Sequence, residues 1–292
     1  MISLVLDHTR IDAAIVSDGG DFVSALSVDA PQGGYRDWLL AAQDLVASLN
    51  APPALPVAVA APAVVDAGHT SFSALAQLSD NDLLRDLQSA LGREVHCYDF
   101  GDCLAAWQAR TGPDYETVVA LWVGQSCHGG VWANGQIMKG AHGGVGNWAH
   151  LQLPSPVPHE LDGRPCWCGK SGCIETFLST AGLEEDYQRV TGEHRPAADI
   201  ASTAATGDIV AESVVQVYED RLGRATATMI SLFDPHIIVL GGAVPLAERM
   251  CERLPRKWPG YVQVDRSRTR LLTSETGAKP LLGGAAYLAR MA

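Results

Sequence analysis

Basic side chains are scarce in this sequence of 292 residues, and their scarcity excludes two classes of partner. There are 21 Lys and Arg residues against 33 Asp and Glu residues, which gives a formal net charge of −12. Nucleic-acid backbones and anionic membrane surfaces are bound through an excess of positive charge. We therefore expect neither a nucleic acid nor a membrane to be a partner of this protein.

Long apolar runs are missing as well. The runs at 57–65 and 118–123 are far shorter than the roughly 20 residues that a membrane-spanning helix needs. The N-terminal segment reaches Asp7 too early to contain the apolar core of a secretory signal. We therefore expect a cytoplasmic protein. In a reducing compartment, seven cysteines, an odd number, are not typical of a disulfide scaffold.

The chain has enough apolar material for a sizeable core, and its pattern indicates the fold class. Hydrophobic residues make up 47% of the sequence, and the length suits two domains of roughly 150 residues each. Strand-like runs alternate with amphipathic helical segments, which predicts an α/β protein with two similar lobes and a cleft between them. The predicted strands are 2–6, 11–16, 57–61, 95–98, 118–123 and 237–240, with a hairpin at Asn134-Gly135. The predicted helices are 38–49, one between a cap at Ser79 or Asp80 and Gly92, 103–110, 209–233 and 283–291.

Three cysteines lie within eight residues, in the run Cys166-Trp-Cys168-Gly-Lys-Ser-Gly-Cys173. Zinc prefers four tetrahedral ligands of the Cys and His type, and the two glycines of this run let the backbone fold back on itself. A fourth ligand must come from outside the run. The upstream candidates are His142, His150 and His159. Because protein side chains would fill all four positions, the run predicts a structural Zn²⁺ site with no open position for catalysis.

The run 165–179 resembles the zinc signature C-x-C-G-x-x-G-C-x-E of the ROK family (repressors, open reading frames and sugar kinases) and is closest to its fructokinase-like branch. The E-x-G-H motif of that family falls on 147–150. The resemblance implies that His150 is the fourth zinc ligand beside Cys166, Cys168 and Cys173. It further implies that Asn147, His150 and Glu175 contact the sugar.

The resemblance covers nearly the whole chain and implies a fold and a set of ligands. The fold is the actin/hexokinase-type ATPase fold, with two RNase H-like lobes that close on ATP and a sugar. The lobes are expected at 1–114 and 115–283, with the final helix, 284–292, packing back on the first lobe. ATP with Mg²⁺ and a small-molecule sugar are the expected ligands, and a homodimer is the expected assembly. The residues implied for the nucleotide are Thr9, Gly124, Gly241 and Gly242.

The sequence departs from the family pattern where phosphoryl-transfer chemistry is expected. The glycines of the D-x-G-G-T phosphate loop are replaced by Asp7 and His8, and the G-T-G of the second loop reads Gly124-Gln125-Ser126. The catalytic Asp of the N-D-A-N motif is replaced by Phe100. The Glu of E-x-G-H is replaced by Asn147.

These departures predict a reaction that is impaired, because a positioned general base contributes typically about 10²–10⁴-fold. By resemblance the function is ATP-dependent phosphorylation of a hexose, of fructokinase or glucokinase type. Asp99 and Asp102 are the candidate catalytic replacements for the lost base. They also suit two other roles, a pair of Mg²⁺ ligands or a helix cap and first-turn acid. The alternative function is a non-catalytic sugar-binding or regulatory pseudokinase that uses the same cleft.

Overall fold

A computed structural model describes residues 1–161, 163–264 and 266–292 of the chain. Its strands are β1 (Ile2–Leu6), β2 (Arg10–Val16), β3 (Phe22–Asp29), β4 (Val57–Ala61), β5 (Ala63–Asp66), β6 (His69–Ser73), β7 (Val95–Asp99), β8 (Thr117–Val123), β9 (Cys127–Ala133), β10 (Gln136–Ile137), β11 (Ile237–Gly242) and β12 (Arg270–Thr273). Its helices are α1 (Tyr35–Ser48), α2 (Leu83–Leu91), α3 (Phe100–Thr111), α4 (Glu175–Leu178), α5 (Thr180–Thr191), α6 (Ala197–Ala205), α7 (Ile209–Phe233), α8 (Ala247–Lys257) and α9 (Lys279–Met291).

Two five-stranded sheets follow the same plan. Their strand orders are β3-β2-β1-β4-β7 and β10-β9-β8-β11-β12, and β5 pairs with β6 in a separate hairpin. In the first sheet β1 runs antiparallel to β2 and parallel to β4, and β4 runs parallel to β7. In the second sheet β11 runs parallel to both β8 and β12. This mixed α/β architecture confirms the predicted fold class.

The chain divides into two compact units. The first contains residues 1–114, 130–146 and 275–292, and the second contains 115–129 and 147–274. The segment 130–146 therefore groups with the first unit, although the sequence pattern places it with the residues that follow 115. Contacts inside the first unit explain this grouping, since Trp132 stacks on Tyr287 at 5.9 Å and Lys139 pairs with Asp102 at 3.2 Å.

The first unit holds α3 at the carboxyl end of β7, and α3 begins three residues earlier than its apolar periodicity predicts. The reason is local, because the Asp99 carboxylate accepts a hydrogen bond from the Gly101 backbone N–H at 2.7 Å and caps the helix. The helix α9 packs against α3. A Cβ on Gly284 of α9 would overlap the carbonyl oxygen of Cys103 of α3. Only glycine permits that approach.

A second helix start also differs from the prediction. The helix α2 begins at Leu83 and does not use Ser79 or Asp80 as its cap. Residues 79–82 are instead bridged to β6, since Asp80 donates its backbone N–H to the Thr70 carbonyl and Thr70 donates to the carbonyl of Asn81. Gly92 ends this helix in the left-handed conformation, as its position predicts.

The second unit is organised around the long helix α7, whose bounds are those that the sequence predicts. Asp208 caps it by accepting from the Ala211 N–H at 2.8 Å. Two buried arginines on α7 form salt bridges with the carboxylate of Glu160, Arg221 at 2.7 Å and Arg224 at 3.0 Å. Glu160 lies in a short turn ahead of the cysteines, so this network ties that segment to the core. In the described part of the chain, no helix is long and apolar enough to cross a membrane.

Candidate functional site

The three clustered cysteines and one histidine of the second unit come together in the folded chain. One ligand atom from each of His150, Cys166, Cys168 and Cys173 lies within 4.8 Å of all the others. The Cys166 sulfur is 3.6 Å from Nδ1 of His150, and the sulfurs of Cys168 and Cys173 are 3.6 Å apart. Of the three histidines that sequence reasoning left open as the fourth ligand, the structure brings His150 to the cysteines.

A tight backbone turn creates this cluster. The Cys166 N–H donates to the Lys170 carbonyl at 2.8 Å, and the Gly169 N–H donates back to the Cys166 carbonyl at 2.9 Å. Gly169 and Gly172 have φ values of 84° and 73°, which L residues with a side chain rarely adopt. The two glycines of the motif therefore allow the chain to reverse and bring the third thiol back to the first two.

The donor set fits a tetrahedral zinc ion. Bond lengths of about 2.3 Å for Zn–S and about 2.0–2.1 Å for Zn–N place tetrahedral S···S pairs about 3.8 Å apart and S···N pairs about 3.6 Å apart. The two 3.6 Å separations in the structure lie within a few tenths of an ångström of these values. Burial, followed by the positive charges of His128 and Lys170, lowers the pKa of His150 to about 4. The imidazole is therefore neutral near pH 7, which is the form that binds a metal.

Glu175 lies directly after the cysteine run and is buried, with 4% of its surface exposed. Its carboxylate accepts a hydrogen bond from the Cys127 backbone N–H at 2.8 Å and another from the Trp167 indole N–H at 3.2 Å. Its own backbone N–H donates to the carbonyl of Ala149 at 2.8 Å. Burial raises the pKa of Glu175 against the effect of these donors. The result is a carboxylate held in one orientation with no arginine or lysine paired to it among the described residues.

The three residues implied for sugar binding all belong to the second unit. Asn147 and His150 are half-buried and lie on the segment that pairs with the start of α4. Trp148 lies between them but is a core residue, with 1% of its surface exposed, and its indole N–H donates to the His128 carbonyl at 2.9 Å. The ring of Trp148 therefore packs in the core of the second unit and not at an exposed surface.

Trp167 is the aromatic residue at this site that sequence reasoning missed. It is 46% exposed, and its ring stands edge-on to the His150 ring with centroids 4.7 Å apart. The available signal was its place between two predicted metal ligands, because such a residue must lie at the surface of the metal loop.

The candidate catalytic residues belong to the first unit. Phe100, at the position of the family base, is 1% exposed. Asp99 caps α3, which is one of the two other roles that the sequence allows for it. Asp102 is buried in the first turn of the helix, and its carboxylate accepts a hydrogen bond from the Lys139 ammonium at 3.2 Å. Burial raises the pKa of Asp102 to about 7, and the charge of Lys139 limits the rise.

The residues implied for the nucleotide divide between the units. In the first unit Thr9 follows β1, and the Asp7 carboxylate accepts from the His8 backbone N–H at 2.7 Å. In the second unit the ends of β8 and β11 lie side by side, so Gly242 pairs with Val123. Gly242 has a φ of 85°, and a Cβ there would overlap the Val123 carbonyl. The structure thus brings together Gly124, Gly241 and Gly242 at adjacent strand ends.

The family follows from a comparison with known proteins. The model of the ROK family matches residues 1–292. The chain belongs to the ROK family. A relative named N-acetyl-D-glucosamine kinase, from Haemophilus influenzae, is 29% identical over 271 residues, which cover 89% of each chain.

Solved ROK structures share the fold over the full length. A ROK hexokinase from Thermus thermophilus matches with a TM-score of 0.80 and 26% identity, and covers 100% of this chain and 98% of that chain. A ROK glucokinase from Streptomyces griseus, solved in complex with glucose and AMPPNP, has a TM-score of 0.86 at 22% identity and covers 100% and 99%. The ROK chain described here therefore has the actin-like ATPase fold, which it shares with ROK sugar kinases and with a ROK transcriptional regulator.

Proposed function

We propose that this ROK protein binds a hexose through its second unit and phosphorylates it from ATP only weakly. The observation that carries the proposal is the contrast between two parts of the chain. Glu175 and His150 are held in place by the cysteine loop, whereas the buried Phe100 occupies the position where the family has its proton acceptor. His150 and Glu175 of the implied sugar-binding set are retained and Asn147 replaces a family Glu, whereas the proton acceptor of the reaction is replaced by Phe100.

A structural metal ion is part of this proposal. His150, Cys166, Cys168 and Cys173 would hold one Zn²⁺, and the two 3.6 Å separations within this cluster support that assignment. When bound, the ion supplies folding free energy and not an open coordination position. It would fix the loop that carries Trp167 and leads directly into Glu175. Loss of the ion is therefore expected to weaken sugar binding through the loop.

The substrate follows from the site and from the names of relatives. Asn147, His150 and Glu175 offer an amide, an imidazole and a carboxylate, which suit the hydroxyl groups of a sugar. Because a relative is named N-acetyl-D-glucosamine kinase, N-acetylglucosamine is the first candidate, ahead of glucose and fructose. Asn147 replaces a family Glu, so one acceptor becomes a group that can also donate.

Residual catalysis would depend on Asp102. Asp99 is committed to the helix cap, whereas the pKa of Asp102, about 7, suits a group that accepts a proton near neutral pH. ATP binding would be weak, since Asp7 places a carboxylate and His8 a bulky ring where the family has phosphate-binding glycines. A non-catalytic sugar-binding protein is the second candidate, and the same observation at Asp7 favours it.

Calorimetric titrations and a coupled assay test the proposal together. N-acetylglucosamine, glucose, mannose and fructose are each titrated, followed by ATP with Mg²⁺. We expect sugar binding, and turnover well below the usual range of about 1–100 s⁻¹. Any turnover should fall at least about 100-fold in Asp102→Asn and stay within about threefold in Asp99→Asn. Turnover in the usual range refutes the impairment, no binding of any sugar refutes the function, and sugar binding without turnover or ATP binding supports the non-catalytic candidate.

A further inference from the structure

Trp167 contacts His150 and Glu175, two of the three residues that the proposed function assigns to sugar binding. Its indole N–H donates to Oε1 of Glu175 at 3.2 Å, and its ring stands edge-on to His150 at 4.7 Å. It also lies between Cys166 and Cys168 in the sequence. One side chain therefore joins the metal cluster to the buried carboxylate.

The exposure of Trp167 does not fit a purely structural role. Other tryptophans of the second unit, Trp148 and Trp258, are each 1% exposed and donate their N–H groups inside the core. Trp167 leaves 46% of its surface exposed although its polar edge is already bonded. Such a ring offers an apolar surface next to a fixed carboxylate, which is the combination that binds an amphipathic ligand.

We propose that Trp167 is a positioning and specificity residue of the sugar site. Through its N–H it holds the Glu175 carboxylate in the orientation that accepts sugar hydroxyl groups. Through its exposed ring it contacts the apolar C–H face of the sugar. This inference rests on the proposed function, and it narrows the substrate class to pyranoses whose hydroxyls are mostly equatorial, because these have a flat C–H face.

Two variants distinguish the contribution of the Trp167 N–H from the contribution of its ring. Trp167→Phe keeps a smaller aromatic ring and removes the N–H donor, whereas Trp167→Ala removes both the ring and the donor. A hydrogen bond to a charged group predicts about a tenfold loss of sugar affinity in the Phe variant and a larger loss in the Ala variant. Tyr261→Ala, which removes a similarly exposed aromatic (41%) elsewhere in the second unit, is the matched control.

Three readouts accompany the affinities. Intrinsic fluorescence of the wild type should change when sugar is added, and the change should be largely lost in Trp167→Phe although six of the seven tryptophans remain. Metal content should stay equal in the wild type and both variants. The loss in Trp167→Ala should be larger for N-acetylglucosamine and glucose than for fructose.

The outcomes distinguish this inference from the proposed function. If the wild type binds none of the sugars, the proposed function fails and the inference fails with it. If the wild type binds sugar, and both Trp167 variants bind it as tightly as Tyr261→Ala does, the inference alone is overturned. A loss of metal in Trp167→Phe would also overturn it, because the residue would then act by stabilising the loop.

Discussion

Replacing Asp102 with Asn is expected to stabilise the folded protein at neutral pH. Asp102 is 5% exposed, and burial raises its pKa from 3.8 to about 7 although Lys139 lies 3.2 Å away. A folded-state pKa above the unfolded value means that the folded chain retains a proton that the unfolded chain has released. Stability from this group is therefore greatest below about pH 4 and falls as pH rises to about 7.

The size of the effect follows from that difference. At about 1.36 kcal/mol for each tenfold change in proton affinity, a pKa of about 7 in place of 3.8 corresponds to at most about 4 kcal/mol. Asn resembles the protonated acid and does not lose a proton, so the variant does not lose folding free energy through ionisation of a buried carboxyl group. The attraction to Lys139 is already included in this figure, because it lowers the pKa of Asp102 that burial raises.

Urea unfolding at pH 4.5, 6 and 8, followed by circular dichroism, measures the effect. The excess stability of Asp102→Asn over the wild type should grow from at most about 1 kcal/mol at pH 4.5 to at most about 4 kcal/mol at pH 8. The exposed Asp44→Asn on α1 removes the same charge and serves as the control. Curves for Asp102→Asn and the wild type that stay parallel from pH 4.5 to 8 would refute the reasoning, because the carboxylate would then carry no burial cost.

Two further predictions concern the metal loop and the helix packing. Cys173→Ser should lower bound zinc from about one ion per chain to near zero after dialysis, with a lower Tm, whereas Cys251→Ser, outside the cluster, should change neither. Equal metal content in the two variants would contradict the assignment. Gly284→Ala should lower the free energy of unfolding by about 1–3 kcal/mol or more, because its Cβ overlaps the Cys103 carbonyl. The same change at the N-cap Gly34, where nothing lies within 4 Å of the added Cβ, should cost less than about 1 kcal/mol in the same urea titration.

Elements with strong local signals were predictable from the sequence. The helix α7 has a capping Asp208, a long apolar face and an Asp-Pro stop, and its bounds match the prediction. The hairpin at Asn134-Gly135 also forms, with both residues at positive φ (52° and 78°). In each case the residues that determine where the element begins or ends lie within a few positions of that boundary, so the local sequence is enough to predict it.

Elements set by distant partners were not predictable in this way. Most residues of β3 are exposed, so no buried face imposes an alternation of apolar and polar residues on its sequence. The strand forms because it pairs with the edge of β2. The short helices α4, α5 and α6 were likewise not predicted. At the site, the cysteine spacing is local and predicted the cluster, whereas the contact between Trp167 and Glu175 arises only when the loop reverses.

The location of the site residues along the chain makes binding and catalysis separable by mutation. Asn147, His150 and Glu175 belong to the second unit, and the carboxylate of Glu175 accepts hydrogen bonds from two donors of that unit, the Cys127 N–H and the Trp167 indole. Of the positions where the family pattern is broken, Asp7, His8 and Phe100 belong to the first unit, whereas Gln125, Ser126 and Asn147 belong to the second. Substitutions in the first unit leave every one of these hydrogen bonds to Glu175 in place. A chain that has lost its proton acceptor can therefore keep the groups that orient a sugar, which is the physical basis for expecting affinity without efficient turnover.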